Sequence, residues 1–433
     1  MLKIKGGISI FKKKFILISS MMMLIIIFNT LLFSNENNIY KINYTDFIKV
    51  SINNSYDVLS KMEEIQEYNS NLTSIFLPNI NVFSDFSNST ISLEYDLNQL
   101  ISLLFTNIQK TTKERLNMEL IEYKAKNAID LTSLYFNTLA RLKITETLKN
   151  FKSKIDKIYN LIISNNNIDY ITKMNYEINY NKFLINYYSI KNDLNYYLNQ
   201  ITDHLGLSSN TIVEFEDDFF FDTKTASEIL KNLDLNEILK NSPSIKAINI
   251  QIAENKLNEK YDFINMKIPK FLPSLSLSYN NNYSEKIKLG FNFRMEYSFN
   301  NFILSLNFEN SNLLNYSNEN WNVNFNFSFS NQSNYERKSF DNYILENTKK
   351  SLILDIKNTF FQIENLIRQI ENISKTIKLI DEVMNKNVNT ENKFDLLIQK
   401  SYTLINYYDL LSQLNINIIK LKIINNEIKE IYY

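Results

Sequence analysis

Phe76-Leu77-Pro78-Asn79-Ile80-Asn81-Val82 and Ile268-Pro269-Lys270-Phe271-Leu272-Pro273-Ser274-Leu275-Ser276-Leu277-Ser278 are two forms of one passage. In each, a helical run reaches a proline and then begins to alternate. Proline stops a helix because it lacks an N–H and its ring clashes with the preceding turn, yet it is tolerated where a strand begins. The alternation continues downstream. In the first copy Ile91, Leu93 and Tyr95 oppose Ser92, Glu94 and Asp96. In the second, Leu275, Leu277 and Tyr279 alternate with serines, and Ile287, Leu289, Phe291, Phe293, Met295 and Tyr297 oppose Lys288, Gly290, Asn292, Arg294, Glu296 and Ser298. Val323, Phe325, Phe327 and Phe329 oppose Asn322, Asn324, Asn326 and Ser328. A sheet with one apolar and one polar face suits a soluble β sandwich, and it equally suits a transmembrane barrel with lipid outside and water inside.

The elements around the two passages recur in the same order, dividing the chain into a first repeat over residues 35–240 and a second over 241–433. The first places a β segment at about 78–97 and a long helical hairpin at about 99–207. The second opens at Asn241-Ser242-Pro243, where Ser242 can cap a helix and Pro243 fits its first turn. Its β segment covers about 273–330 and its hairpin about 335–431. Between Gln99 and Ile163 no Pro or Gly occurs, and a helix of that length runs roughly 95 Å at ~1.5 Å per residue. Three apolar seams repeat at alternating spacings of three and four: Leu148, Phe151, Ile155, Ile158 and Ile162; Ile353, Ile356, Phe360, Ile363, Ile367 and Ile370; Tyr407, Leu411, Leu414, Ile418 and Leu421. These are coiled-coil seams. The helices turn back at Ser164-Asn165-Asn166-Asn167 and between Asn385 and Asn392.

Composition narrows the function. The chain has no Cys, one His, four Gly and four Pro in 433 residues. That excludes disulfides, thiolate zinc and multi-histidine metal sites, and leaves no glycine cluster for cradling a nucleotide phosphate. No cofactor is expected, and the chain does not read as an enzyme. Basic and acidic residues balance at 47 each with no basic stripe, so no nucleic-acid footprint is present. Lys3, Lys5, Lys12, Lys13 and Lys14 precede the apolar run Phe15 to Phe33, and Ser34 leads into Asn35-Glu36-Asn37-Asn38. Residues 1–34 therefore read as an export signal, with a retained anchor as the alternative. No other apolar span of that kind follows, so membrane insertion of the exported chain relies on strands. A few strands cannot close a barrel alone, and a ring of identical chains supplies the rest.

The chain resembles the TolC family of outer-membrane efflux channels, from about Tyr44 to Ile431. The two helix-to-strand passages carry the resemblance, with Leu131-Thr132-Ser133-Leu134-Tyr135-Phe136-Asn137-Thr138-Leu139, similar to the family's hydrophobic-Tyr-aromatic helix, and His204-Leu205-Gly206-Leu207, similar to the Leu-Gly that closes its first half. The resemblance implies a mostly α fold with membrane β: a homotrimer in which each chain gives about four strands to a twelve-stranded barrel and two helical hairpins to a periplasmic tunnel. It also implies outer-membrane lipid, a periplasmic adaptor and an inner-membrane pump as partners. Asn392-Lys393-Phe394-Asp395-Leu396-Leu397 matches the family's periplasmic tip, which puts Asp395 at a ring of constricting carboxylates. Ile168-Asp169-Tyr170-Ile171 makes Asp169 its counterpart in the first half. A second Asp found in some relatives is Ile398 here, and a basic gate partner is replaced by Glu391. The tip glycine is absent, and Asn387 and Asn389 stand near its place, a residue type that accepts left-handed turns.

The second copy is longer than the first, chiefly in its β part. Alternating runs at Lys286 to Ser298 and Phe302 to Phe308 form an additional hairpin, expected as a surface loop beyond the membrane, with longer barrel strands as the alternative. Among rival functions, a coiled-coil surface adhesin shares the signal, strands and heptads but has no need of a duplicated hairpin order. A periplasmic adaptor usually carries one hairpin and glycine-rich β domains. Within the family, protein secretion and drug efflux use the same tunnel.

Overall fold

The computed structural model describes residues 39–74, 79–84, 88–94, 106–208, 211–265, 270–280, 287–299, 302–311, 313, 321–329, 335–386 and 389–428. The export signal at 1–34, Pro78 and Asn387 lie outside the described residues.

β1 (Ile39–Ile42) leads into α1 (Tyr44–Asn53) and α2 (Tyr56–Ser74), and then into the hairpin β2 (Asn79–Ser84) and β3 (Asn88–Glu94). The long α3 (Thr106–Ser164) and α4 (Tyr170–Leu205) follow, then β4 (Ile212–Phe215), α5 (Thr223–Asn232), α6 (Leu235–Asn241) and α7 (Pro243–Asn265). The strands β5 (Lys270–Asn280), β6 (Ile287–Phe299), β7 (Phe302–Asn310) and β8 (Trp321–Phe329) precede the final pair, α8 (Tyr335–Met384) and α9 (Thr390–Ile424). α3 has 59 residues and α8 has 50, which at ~1.5 Å per residue makes them roughly 88 and 75 Å long. None of the described helices is long and apolar enough to cross a membrane.

The local signals operate as read. Ile245 N–H donates to Ser242 Oγ at 3.4 Å, capping the helix that begins at Pro243. Gly206 ends α4 in the left-handed conformation, φ 66°, where its N–H and that of Leu207 return to the last carbonyls. The seam residues Leu148, Ile155, Ile162, Ile356, Ile363, Leu414, Ile418 and Leu421 are all buried. The first turn closes without a left-handed residue: Asn165 Oδ1 accepts from Asn167 N–H at 3.0 Å, and Asp169 then caps α4.

The aromatic helix signature becomes the hub of one core. Tyr135 and Phe136 are fully buried and meet Tyr44, Phe47, Phe215, Phe219 and Phe220 in edge-on, tilted and stacked ring contacts. Asp217 Oδ2 accepts from Tyr44 N–H at 2.7 Å and from Tyr135 Oη at 3.3 Å. Burial pushes the Tyr135 phenol far up, and Asp217 adds to it, so the hydroxyl stays a donor at any physiological pH. β1 and β4 pair in parallel, bringing the strand that precedes α1 beside the strand that follows α4. A second core lies where α5 to α7 lean on α8 and α9, and there Asn415 clamps the linker by exchanging hydrogen bonds with Phe221 N–H at 2.9 Å and Phe221 C=O at 3.1 Å.

β2, β3, β5, β6, β7 and β8 form a single sheet in that order, each neighbouring pair antiparallel. The expectation of about four strands is therefore corrected to six. The hairpin of β6 and β7, expected as a surface loop, is inserted in the middle of the sheet. Its ladder is continuous on both sides, from Lys270↔Glu296 to Tyr279↔Ile287 and from Phe302↔Phe329 to Asn310↔Trp321. Its alternation stays in phase with the neighbouring strands, so pairing satisfies backbone and side chains together.

Because Gly206 sits at positive φ, Gly206→Ala is expected to cost roughly 1–2 kcal/mol, while Gly206→Asn is tolerated. Thermal unfolding of the purified variants measures this.

Candidate channel: the two-faced sheet and the helical tip

Paired residues of an antiparallel sheet share a face, so the register sorts the side chains. One face carries Ile80, Leu93, Leu275 and Phe291 in one row, and Val82, Ile91, Leu277 and Leu289 in the next. It continues through Phe293, Phe308 and Val323, then Met295, Leu306 and Phe325, then Tyr297, Leu304 and Phe327. The opposite face carries Asn81, Ser92, Ser276 and Gly290, then Ser274, Asn292, Glu309 and Asn322, then Arg294, Asn307 and Asn324, then Glu296, Ser305 and Asn326. Arg294 pairs with Glu296 on that face.

Along β3 and β5 exposure runs opposite to that of a soluble sheet. Along β5 the apolar Leu275, Leu277 and Tyr279 are exposed while the intervening serines are half-buried. On β8 both faces are uncovered: Val323 is 58% and Phe325 64% exposed, and Asn322 and Asn324 are exposed as well. An uncovered apolar face spanning six strands is far larger than a monomeric soluble protein leaves in water. Strands of 9 to 13 residues, the lengths of β5 to β8, suffice to cross a bilayer when tilted. A Cβ at Gly290 on the polar face would stand 2.5 Å from Ser276 Oγ, so a larger residue there would make Ser276 turn away.

At the far end of the helices the two hairpins pack on each other. Phe394 of α9 is fully buried, edge-on to Tyr176 of α4 with ring centroids 5.4 Å apart. Tyr159 and Tyr180 stack at 4.1 Å, and Tyr180 Oη donates to Asp156 at 2.9 Å. Leu397, Ile398, Ile162 and Phe183 complete this cluster. It brings the starts of α4 and α9 to one end of the molecule, so Asp169 and Asp395 both belong to the tip.

Their surroundings differ. Asp169 is the N-cap of α4: Thr172 N–H donates to Oδ1 at 2.9 Å and Thr172 Oγ1 to Oδ2 at 2.6 Å, which holds its carboxyl below the usual range. The corresponding cap of α9 is Asn389, accepting from Asn392 N–H at 2.9 Å. Asp395 lies a turn further in and is exposed. Partial desolvation, and then the charge of Glu391 one turn before it, push Asp395 above the usual carboxylate range. Tyr176 feels both carboxylates, so the acidic pair and the aromatic cluster are neighbours. Sequence reasoning did not foresee this cluster, although Tyr176, Tyr180 and Phe183 stand three and four residues apart. His204 is exposed in the last turn of α4, a helix-end position and nothing more.

An outward apolar sheet joined to two long helical hairpins is the fold of the outer-membrane channels, the TolC type that the sequence resembles. Among solved structures, the open state of the Neisseria gonorrhoeae MtrE channel matches with TM-score 0.54 at 10% identity, covering 88% of each chain. The outer-membrane channel OprN matches with TM-score 0.59 at 10% identity, over 88% of this chain and 89% of that one. The outer-membrane protein VceC of Vibrio cholerae matches with TM-score 0.51 at 10% identity, over 89% of this chain and 95% of that one. No family model and no curated protein matches the sequence.

Because its folded pKa is raised, Asp395 stabilises the fold least when ionised: stability is full below the unfolded pKa and falls as pH rises through the folded value. Asp395→Asn is therefore expected to raise the melting temperature at neutral pH, with the gain vanishing near pH 4. Melting curves of both proteins at the two pH values test it.

Proposed function

We propose that this chain is the outer-membrane channel-tunnel of an efflux or type I secretion system. Three copies form a pore that passes substrates from an inner-membrane pump and a periplasmic adaptor across the periplasm and outer membrane. The observation that carries this reading is the six-stranded sheet with one apolar face and one face of amides, hydroxyls and charges, joined to helices none of which, among those described, is apolar enough to cross a membrane. The internal repeat, residues 35–240 and 241–433, supplies two tip hairpins per chain.

The helices support assembly into a ring. α4 exposes Ile171, Met174, Ile178, Ile185 and Tyr188 at spacings of three, four and seven, and Ile171 is 72% exposed. α8 does the same at Leu354 and Phe361, the latter 64% exposed. Each seam repeats with coiled-coil period on a face that this chain leaves uncovered, as expected where another copy packs. At the tip, Asp395 is our candidate for the narrowest ring and Asp169 for a secondary one. Asp395 points no hydrogen bond into a cap, unlike Asp169, so its charge is available to the lumen. Three such carboxylates favour cations over anions.

Single-channel recording of the purified protein in planar bilayers tests this. We expect discrete, cation-selective conductance whose selectivity weakens in Asp395→Ala. Conductance unchanged by the substitution removes Asp395 from the constriction. A folded, inserted protein with no conductance points to a coiled-coil surface adhesin instead.

A further inference from the structure

We infer that three copies close their sheets into one barrel of eighteen strands, with β8 of one copy paired antiparallel to β2 of the next. This rests on the channel reading above and departs from the twelve strands that the resemblance implies.

The sheet cannot stand open in a membrane. Among the described residues β2 and β8 are its edges, each paired on one side only. In hydrocarbon every unpaired N–H and C=O costs several kcal/mol, so spanning sheets are closed. Nor can six strands close on themselves. At ~4.8 Å between strands and ~40° tilt, six strands make a cylinder of roughly 6 Å radius. The inward face carries Arg294, Glu296 and Glu309, which need water and more room than that.

The edges fit each other. The sheet has an even number of strands, all antiparallel to their neighbours, so β8 and β2 run in opposite directions. A junction between copies is then one more antiparallel pair, and the alternation of faces continues across it. Val82 on β2 is 69% exposed and Val323 on β8 is 58%. Both stand on the outward face, where a neighbouring strand covers part of each.

With the three copies of the channel reading, the widths agree. Near the tip each chain presents four helices in cross-section, α3, α4, α8 and α9. Twelve helices spaced ~9 Å apart form a ring roughly 35 Å across. Eighteen strands at the spacing and tilt above form a ring roughly 36 Å across, whereas twelve reach only about 24 Å. Eighteen strands therefore continue the helical bore without narrowing it. The insertion of β6 and β7 supplies the difference, and it leaves the tip as the part of the pore that limits passage.

Electron cryomicroscopy of the full-length protein in lipid nanodiscs counts the strands. We expect eighteen in cross-section. Twelve strands, with residues 287–310 projecting beyond the membrane, overturn this inference and leave the channel reading in place. Because the chain contains no cysteine, a second measurement is direct: Val82→Cys combined in turn with Trp321→Cys, Val323→Cys or Phe325→Cys, oxidised in membranes. Covalent dimers and trimers are expected for at least one pair. Bridges only within single chains overturn the ring of copies, and the channel reading with it.

Discussion

A peptide group in hydrocarbon must find its hydrogen-bond partner within the protein, and the proposed channel depends on that constraint. It explains why the period-two segments form one continuous ladder from β2 to β8. In the proposed barrel it puts the apolar face against lipid and the amides and charges against the lumen, the inverse of a sheet in water. It also explains why a chain of 433 residues spends so few on strands. In the proposed assembly other copies complete the barrel, and the remaining residues build the helices.

The sheet is anchored to those helices by charge as well as by connection. α2 feeds β2, α3 leaves β3, and α7 feeds β5. These three helices are tied at one place: Lys61 meets Glu64 at 2.6 Å and also Glu119, and Arg115 meets Glu119 and Glu254, each at 2.5 Å. Thr112 donates to the other oxygen of Glu254 at 2.6 Å. Lys61 and Glu254 are nearly buried, and burying one such charge alone would be costly. Here the central charges answer one another in a network that offsets the desolvation. The network fixes how the two β segments enter the sheet side by side.

Much of this was legible in the residues. Alternation with period two predicted both faces of the sheet, the seams predicted which residues of α3, α8 and α9 are buried, and Ser242-Pro243 and Gly206 marked helix ends correctly. The number of strands was not legible. Lys286 to Ser298 alternates in the same way whether it pairs in the sheet or projects beyond it, and only the partner strand decides. The parallel pairing of β1 with β4 joins residues some 170 apart in sequence, a distance over which local pattern carries nothing. The acidic tips were found as residues but not as environments. Asp169 reads the same as Asp395 in sequence, yet a threonine three residues later turns it into a helix cap. Asp395 instead faces Glu391, and the two carboxylates share the tip with a cluster of tyrosines whose spacing along each helix marks a face but not its partners.

The orientation of the sheet is the central claim, and a spin-label scan along β8 tests it most directly. Each residue from Trp321 to Phe329 would be replaced in turn by cysteine in the cysteine-free chain, labelled, and reconstituted in lipid. Relaxation by oxygen, which concentrates in the bilayer, would be compared with relaxation by a water-soluble nickel complex. Oxygen access peaking at 323, 325 and 327 and nickel access at 322, 324 and 326 is the predicted result. Nickel access at all positions would contradict the account, because it would place the apolar face in water.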